Sequence, residues 1–128
     1  MTAPTVWGPS VWGLLHILSF DFKGDHVKFF HDLKYVLPCA KCRHNYYDHI
    51  KMLPIPKTKK ALPRWLIRVH NRVNVSTDKP VADEKEMLEF WKTKRAMLPV
   101  YAKAAKKYIG TEHESFWKTI DANLHHTL

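Results

Sequence analysis

The chain has 128 residues, 45% of them hydrophobic and 26% charged, which is ordinary for one soluble domain with its own core. Its net charge of +9 favours anionic partners such as acidic proteins, nucleic acid or phosphate-bearing cofactors. Two cysteines are too few for a framework of structural disulfides. The first residues lack the basic and apolar segments of a signal peptide, and the apolar runs are short. We therefore expect a cytoplasmic protein without a signal peptide or transmembrane helix.

Apolar residues at helical spacing predict helices along the first half of the chain. The first helix is predicted to open at Pro9 and to reach about Phe20, followed by a turn over residues 21–25. Pro38 should interrupt the second helix, and a third should run from near Cys39 to about Met52. The second helix is predicted to carry one apolar stripe, formed by Val27, Phe30, Leu33 and Leu37.

The second half of the chain is also predicted to be helical. A fifth helix should begin near Asp83, Pro99 should break or kink the chain, and the sequence Thr111 to Glu114 reads as a capping box that opens the last helix. The fourth helix has the clearest apolar stripe, formed by Leu62, Trp65, Leu66, Val69 and Val73. Strand-like alternation is absent, so we predict an all-α fold, a four-helix bundle with additions.

The two cysteines lie together in the sequence Pro38-Cys39-Ala40-Lys41-Cys42. A pair with this spacing can close a disulfide, supply half of a zinc site or exchange electrons. A helix that starts at the pair, with basic residues beside it, favours the reactive thiolate. A zinc site would need further ligands such as His44, His49 or His70, and no second half with typical spacing follows. A thioredoxin-like site would need a βαβ unit, which the pattern does not show.

Two histidines lie on predicted helices beside aromatic or amide residues. Trp12 and His16 are four residues apart and share a helix face, as do His70 and Asn74. A lone histidine on such a face is usually a hydrogen-bonded core residue. Two of them on different helices suggest a planar, polar ligand such as a flavin or a nucleobase.

Four motifs, in order, resemble the Erv/ALR family of FAD-linked sulfhydryl oxidases. Residues 7–16 resemble its first-helix motif with Trp-x3-His, and residues 30–42 its apolar helix that leads into Pro-Cys-x-x-Cys. Residues 70–74 match His-Asn-x-Val-Asn, while Lys79-Pro80 and Trp91 fall where the family has Gly-Lys-Pro and a late Trp. The ordered set covers roughly residues 7–91.

The resemblance implies a compact four-helix bundle that holds FAD, with a short fifth helix and a C-terminal helical extension added to it. By position, it makes Cys39 and Cys42 the catalytic pair, with Cys39 exchanging disulfides with substrate thiols and Cys42 lying beside the flavin. Electrons would pass from thiols through the pair to FAD and then to O₂, giving H₂O₂. No metal is expected. The implied FAD-binding residues are Trp7, Gly8, Trp12, His16, Cys42, His70, Asn71, Val73, Asn74, Lys79 and Trp91.

The chain also departs from the family pattern. It lacks the second, shuttle cysteine pair, and Ile67 and Glu84 occupy the positions of a structural disulfide that many members have between the fourth and fifth helices. Asp78 replaces the usual glycine before Lys79, which puts the geometry of that loop in question. We predict an oxidase domain over residues 1–92 and a helical extension over 93–128 that packs on the core or on a dimer partner.

The resemblance further implies partners and a location. The expected partners are protein thiols, O₂, a second copy of the chain and, for distant substrates, a thioredoxin-like relay protein; membranes and nucleic acid are not expected. Shuttle-free members resemble those of large DNA viruses, which by analogy places the protein in host cytoplasm or the virion. The alternative function is a basic helical module that binds zinc or nucleic acid, based on the charge of +9 and the nine histidines.

Overall fold

The computed structural model describes residues 4–125, which form helices and no strands, so the all-α prediction is confirmed. Seven α-helices are joined by loops, with short 3₁₀ turns at Lys59–Ala61 and Arg95–Met97. No helix among these residues is both long and apolar enough to cross a membrane. The α-helices, in chain order, are α1 Pro4–Ser19, α2 His26–Val36, α3 Ala40–Met52, α4 Leu62–Ser76, α5 Glu84–Lys92, α6 Leu98–Ala105 and α7 Glu114–Leu124.

The central core lies among α1, α2 and α4, whose apolar faces are almost completely buried. Val11, Leu14 and Leu18 from α1, Phe30 from α2 and Leu66 from α4 have no exposed surface. Helix α3 packs on α2 and α4, and α5 packs on α4 and α1. Helix α4, which carries His70, therefore contacts both α3, the helix that follows Cys39, and α1, which carries His16.

Three sequence predictions about helix starts and faces are wrong. Helix α1 begins at Pro4 and passes through Pro9, where the helix lacks one backbone N–H donor. Val27 is 40% exposed, and the α2 core face uses Phe29 beside Phe30. Pro99 stands in the first turn of α6, where a missing N–H costs nothing, so it starts a helix and does not break one.

The predicted capping box at the last helix is also wrong. Helix α7 starts two residues later than the box requires, with His113 at the N-cap and no side-chain capping bond. The chain first makes a turn in which the His113 N–H donates to the Gly110 carbonyl. The Glu112 side chain lies over Gly110, at the place where a Cβ would otherwise be.

The last two helices pack on the rest of the molecule. Helix α6 lies along α1, with the ring of Tyr101 so close to Gly13 that a Cβ at that position would be 2.4 Å from it. Helix α7 is anchored by the buried Asn123, which accepts from the Lys23 N–H at 2.8 Å and donates to the Lys23 carbonyl at 3.0 Å. Arg95 donates to the carbonyls of Phe20 and Asn123. Helices α6 and α7 thus pack on α1 and α2, while the division into an oxidase domain over residues 1–92 and an extension over 93–128 stays a prediction, and residues 126–128 lie outside the described part of the chain.

Candidate active site

The cysteine pair is disulfide-bonded and lies at the N-terminus of α3, as the helix pattern predicts. Cys39 is the N-cap residue, and its sulfur accepts a hydrogen bond from the Cys42 N–H at 3.1 Å. The segment before the pair is tied down by Arg43, whose guanidinium donates to the Leu37 carbonyl at 2.7 Å. Cys39 is buried at 6% exposure, whereas Cys42 is half-buried.

The electrostatic surroundings of the pair favour anionic sulfur. The first turn of α3 contains no acidic residue, Lys41 lies between the two cysteines, and Arg43 and His44 follow Cys42. A helix N-terminus carries a partial positive charge and unpaired N–H groups, which stabilise a thiolate at the N-cap. After reduction the pair therefore has the setting of a reactive dithiol.

The predicted aromatic and histidine residues form one cluster that joins α1, α4 and α5. The rings of Trp12 and His70 stack with centroids 3.9 Å apart and planes 5° apart. His16 stacks on Trp91 at 5.3 Å, and its Nε2 is 2.8 Å from Nδ1 of His70, so one of the two nitrogens donates. The two histidines are thus partners of each other as well as candidates for ligand contact.

Both histidines of the cluster are held uncharged. Burial lowers the pKa of His16 well below 6.5, and the neighbouring His70 lowers it further. Burial also lowers the pKa of His70 to about 4, with a smaller contribution from the positive charge of Lys79. At neutral pH the pair can share one hydrogen bond and present neutral ring faces.

The loop after α4 brings Lys79 to the edge of this cluster. Asn71 holds the loop by donating to the Ala82 carbonyl at 3.0 Å and accepting from the Ala82 N–H at 2.9 Å, and Asn74 donates to Asn71. Asp78 has φ of 62°, the left-handed conformation that glycine favours and that aspartate tolerates better than most residues. Asp78 thus adopts a conformation typical of the glycine it replaces, and the loop turns here.

The remaining predicted residues lie on the same helices. Trp7 is buried, and its Nε1 has no hydrogen-bond partner within residues 4–125. Gly8 is buried next to it, although a Cβ there would make an ordinary contact with Trp12. Val73 is half-buried on α4.

The comparisons with known proteins rest on the same part of the chain. Residues 9–93 match the Erv1/Alr family, which is about two thirds of the sequence. The chain belongs to this family. The match includes the cysteine pair, the aromatic and histidine cluster and the loop with Lys79, and leaves out α6 and α7.

Two curated members of the Erv1/Alr family are similar to the chain. The probable FAD-linked sulfhydryl oxidase R368 of Acanthamoeba polyphaga mimivirus is 32% identical over 99 residues, which cover 68% of this chain and 69% of that protein. The mitochondrial FAD-linked sulfhydryl oxidase ERV1 of Saccharomyces cerevisiae is 28% identical over 94 residues, which cover 66% of this chain and 50% of that protein. No solved structure gives a significant match.

The residues of this Erv1/Alr chain fit a flavin nucleotide in their chemistry. Trp12, His70 and Trp91 supply flat aromatic faces, and Lys79 supplies an exposed cation. The unpartnered Nε1 of Trp7 is a buried donor for which a bound acceptor would be favourable. Within residues 4–125, no group of three or more His, Cys, Asp or Glu side chains is arranged to hold a metal ion.

Sequence reasoning missed two residues around this site. Tyr101 of α6 packs edge-on against Trp91, and only Gly13, a glycine inside a helix, signals that another element lies close to α1. Tyr46 of α3 is buried and donates to the Phe30 carbonyl, which fixes α3 on α2, and burial raises its pKa. Both contacts join distant segments, so spacing along one helix could not show them.

Proposed function

We propose that the protein is a FAD-dependent sulfhydryl oxidase that forms disulfides in protein substrates. In the overall reaction, two thiols and one O₂ give one disulfide and one H₂O₂. The observation that carries the proposal is the Cys39–Cys42 disulfide at the basic N-terminus of α3, inside the region that matches the Erv1/Alr family. Two similar family members are named FAD-linked sulfhydryl oxidases, which supports the same cofactor here.

The chemistry of the pair is thiol–disulfide exchange. A substrate thiolate attacks one sulfur, the Cys39–Cys42 bond breaks, and a mixed disulfide forms while the other cysteine leaves as thiolate. A second substrate thiol then attacks the mixed disulfide, so that the substrate is oxidised by two electrons and the enzyme pair is reduced. The partial positive charge at the start of α3 stabilises the leaving thiolate.

The residues assigned to FAD have separate tasks. When bound, FAD would supply the two-electron acceptor that links the reduced pair to O₂. Trp12, His16, His70 and Trp91 would offer stacking faces and neutral nitrogen atoms, and Lys79 would meet the diphosphate. Asn71 already uses both ends of its amide on Ala82, so we assign it to positioning the loop. Trp7, Gly8, Val73 and Asn74 complete the proposed set.

The two cysteines are proposed to have unequal roles. By position in the family motif, we assign Cys39 to the substrate and Cys42 to the flavin. The greater exposure of Cys42 supports the second assignment, because a ring can pack against its open side. Cys39 is nearly covered, so substrate exchange there requires a local movement of the segment around Pro38.

Partners and location complete the proposal. A homodimer is one partner expected from the family pattern. A thioredoxin-like relay protein is the other, since this chain has no second cysteine pair. Host cytoplasm or the virion is the proposed location, which the similarity to a mimivirus protein supports.

The test of the oxidase is the purified protein with and without each cysteine. We expect a yellow protein with a flavin spectrum that consumes O₂ when dithiothreitol is added, and loss of this consumption to background in both Cys39→Ser and Cys42→Ser. The flavin spectrum should remain in both variants. A colourless protein that contains zinc, or O₂ consumption that survives Cys42→Ser, would refute the proposal.

The roles of the two cysteines are tested with the same variants. A peptide joined to thionitrobenzoate by a disulfide is attacked by the one free thiolate of each variant, which releases the coloured thiol. We expect Cys42→Ser, which retains Cys39, to release it faster than Cys39→Ser. The reverse order would exchange the two roles.

A further inference from the structure

A surface pocket of about 280 Å³ lies between the end of α2 and the first half of α3, and its lining includes Arg43, the residue that follows Cys42. Two basic residues, one histidine and two tyrosines line it, namely Lys34, Tyr35, Arg43, His44 and Tyr47. Arg43 connects the pocket to the pair, because its guanidinium donates to the Leu37 carbonyl and its backbone N–H donates to the Cys39 carbonyl at 2.9 Å. A molecule in the pocket is therefore next to the segment that carries Cys39.

The two cations of the pocket lack carboxylate partners, in contrast to several others in residues 4–125. The Lys34 ammonium lies 4.7 Å from the ring centre of Tyr47 and 5.0 Å from that of Tyr35, and 3.2 Å from Nε2 of His31. Arg43 uses one nitrogen on a carbonyl and has further N–H donors. Elsewhere Lys28 pairs with Asp32, and Arg64 and Arg68 pair with Glu84.

Within residues 4–125, no carboxylate forms an ion pair with Lys34 or Arg43. The one acidic residue of α3 is Asp48, which is 3.6 Å from His44 and is also paired with Lys51 at 3.2 Å. Tyr35 is 63% exposed and Tyr47 39% exposed, although both are large and aromatic. Aromatic and arginine side chains are enriched at surfaces that bind another polypeptide, so two tyrosines beside Arg43 fit such a surface.

From this arrangement we infer that the pocket docks the protein substrate and selects a segment in which acidic residues flank the reacting cysteines. Carboxylates of the segment would pair with Lys34 and Arg43, and its apolar atoms would pack on Tyr35 and Tyr47. The inference rests on the proposed oxidase function, since it names the substrate class of the same site. Electrostatic attraction of this kind mainly raises the rate of encounter and selects among partners.

The experiment separates docking from turnover. Calorimetric titration uses two peptides in which serines replace the reactive cysteines, one with glutamates on both sides and one with lysines. We expect the acidic peptide to bind the wild-type protein about tenfold more tightly than the basic one at low salt, and this difference to shrink at high salt. Because these peptides cannot react, the result does not depend on oxidase activity.

Matched variants locate the binding site. Lys34→Glu should weaken binding of the acidic peptide about fivefold, whereas Lys103→Glu, the same charge change on the exposed face of α6, should not. Tyr35→Ala removes a side chain that is mostly exposed, so it should fold normally and weaken binding without changing its salt dependence. Circular dichroism checks the fold of each variant.

Three outcomes would overturn the inference: equal binding of the two peptides, equal effects of Lys34→Glu and Lys103→Glu, or tighter binding of a single-stranded oligonucleotide than of the acidic peptide at the same pocket. Failure of the oxidase proposal looks different, because dithiothreitol would then cause no O₂ consumption by the yellow wild-type protein. If that protein oxidises dithiothreitol but the peptides bind equally, only the docking inference is wrong.

Discussion

At the scale of single residues, the burial of His16 and His70 makes the stability of the protein depend on pH. One neutral histidine donates to the other at 2.8 Å, and two protonated rings could not form this bond. Burial keeps the pKa of both below the ordinary value of 6.5, to about 4 for His70. The unfolded chain therefore binds more protons than the folded chain between pH 6.5 and about 4.

We predict that the free energy of unfolding falls as the pH is lowered from 7 to 5. Each of the two histidines contributes a slope of up to about 1.4 kcal/mol per pH unit within this window. Denaturant unfolding at several pH values measures the slope. His70→Gln should make it shallower, while His44→Gln, at a side chain that is 74% exposed, should leave it unchanged. Equal slopes in wild type and His70→Gln would show that the buried pair is not responsible.

At the scale of helices, α5 lies at the surface of the molecule. None of its residues is buried, and its capping residue Asp83 accepts from the Glu86 N–H at 2.9 Å. Glu84 is 2.9 Å from Nε of Arg64 and 3.3 Å from Nη2 of Arg68, both on α4. An ionic contact thus joins α4 and α5 in this protein. The family resemblance implies that many members have a disulfide between the same two helices.

We predict that Glu84→Gln loosens α5 by about 0.5–1 kcal/mol, because an ion pair near the surface has this strength. Amide hydrogen exchange in α5 should become faster, and high salt should reduce the difference from wild type. Glu89→Gln is the matched control, since it makes the same charge change on the exposed face of the same helix. Equal exchange in the two variants would contradict a role for the ion pairs.

The success of helix prediction depended on whether local chemistry decided the element. The start of α3 at Cys39 and the start of α5 at Asp83 were predictable, because an N-cap side chain acts on its own first turn. The start of α7 was not, because the turn at Gly110 is fixed partly by Trp117, whose Nε1 donates to the Gly110 carbonyl. A proline such as Pro99 can either end a helix or stand in the first turn of one. The packing of α6 on α1 distinguishes the two cases here.

The candidate site was predictable in its residue types but not in its contacts. Periodicity placed His16 and His70 on helix faces, and the ordered motifs grouped them with Trp12 and Trp91. That the two histidines bond to each other depends on the distance between α1 and α4, which no local pattern contains. The same holds for Asn71, whose amide is engaged by Ala82 across a loop.

At the scale of the whole molecule, α6 depends on the absence of a side chain at Gly13. The ring of Tyr101 lies over Gly13 and meets Trp91 edge-on, so it joins the extension to the aromatic cluster. A disturbance at Gly13 can therefore reach the proposed cofactor residues.

We predict that Gly13→Ala lowers the free energy of unfolding by about 1–3 kcal/mol, because the new methyl group displaces the Tyr101 ring. In a chain with Tyr101→Ala the same change should instead stabilise by about 0.5–1 kcal/mol, because alanine favours a helix more than glycine. Denaturant unfolding of the four proteins gives both values and their coupling. Destabilisation of the same size in both backgrounds would show that Tyr101 is not the cause.

The hydrogen bonds between Lys23 and Asn123 join residues that are 100 positions apart in the chain. A ribosome adds about 5 to 20 residues per second, so roughly 5 to 20 s separate the synthesis of the two partners. During this time the loop after α1 lacks its contacts with α7, and at first the face of α1 at Gly13 also lacks its contact with α6. The nascent protein therefore cannot complete the packing around the end of α1 until α7 has been made.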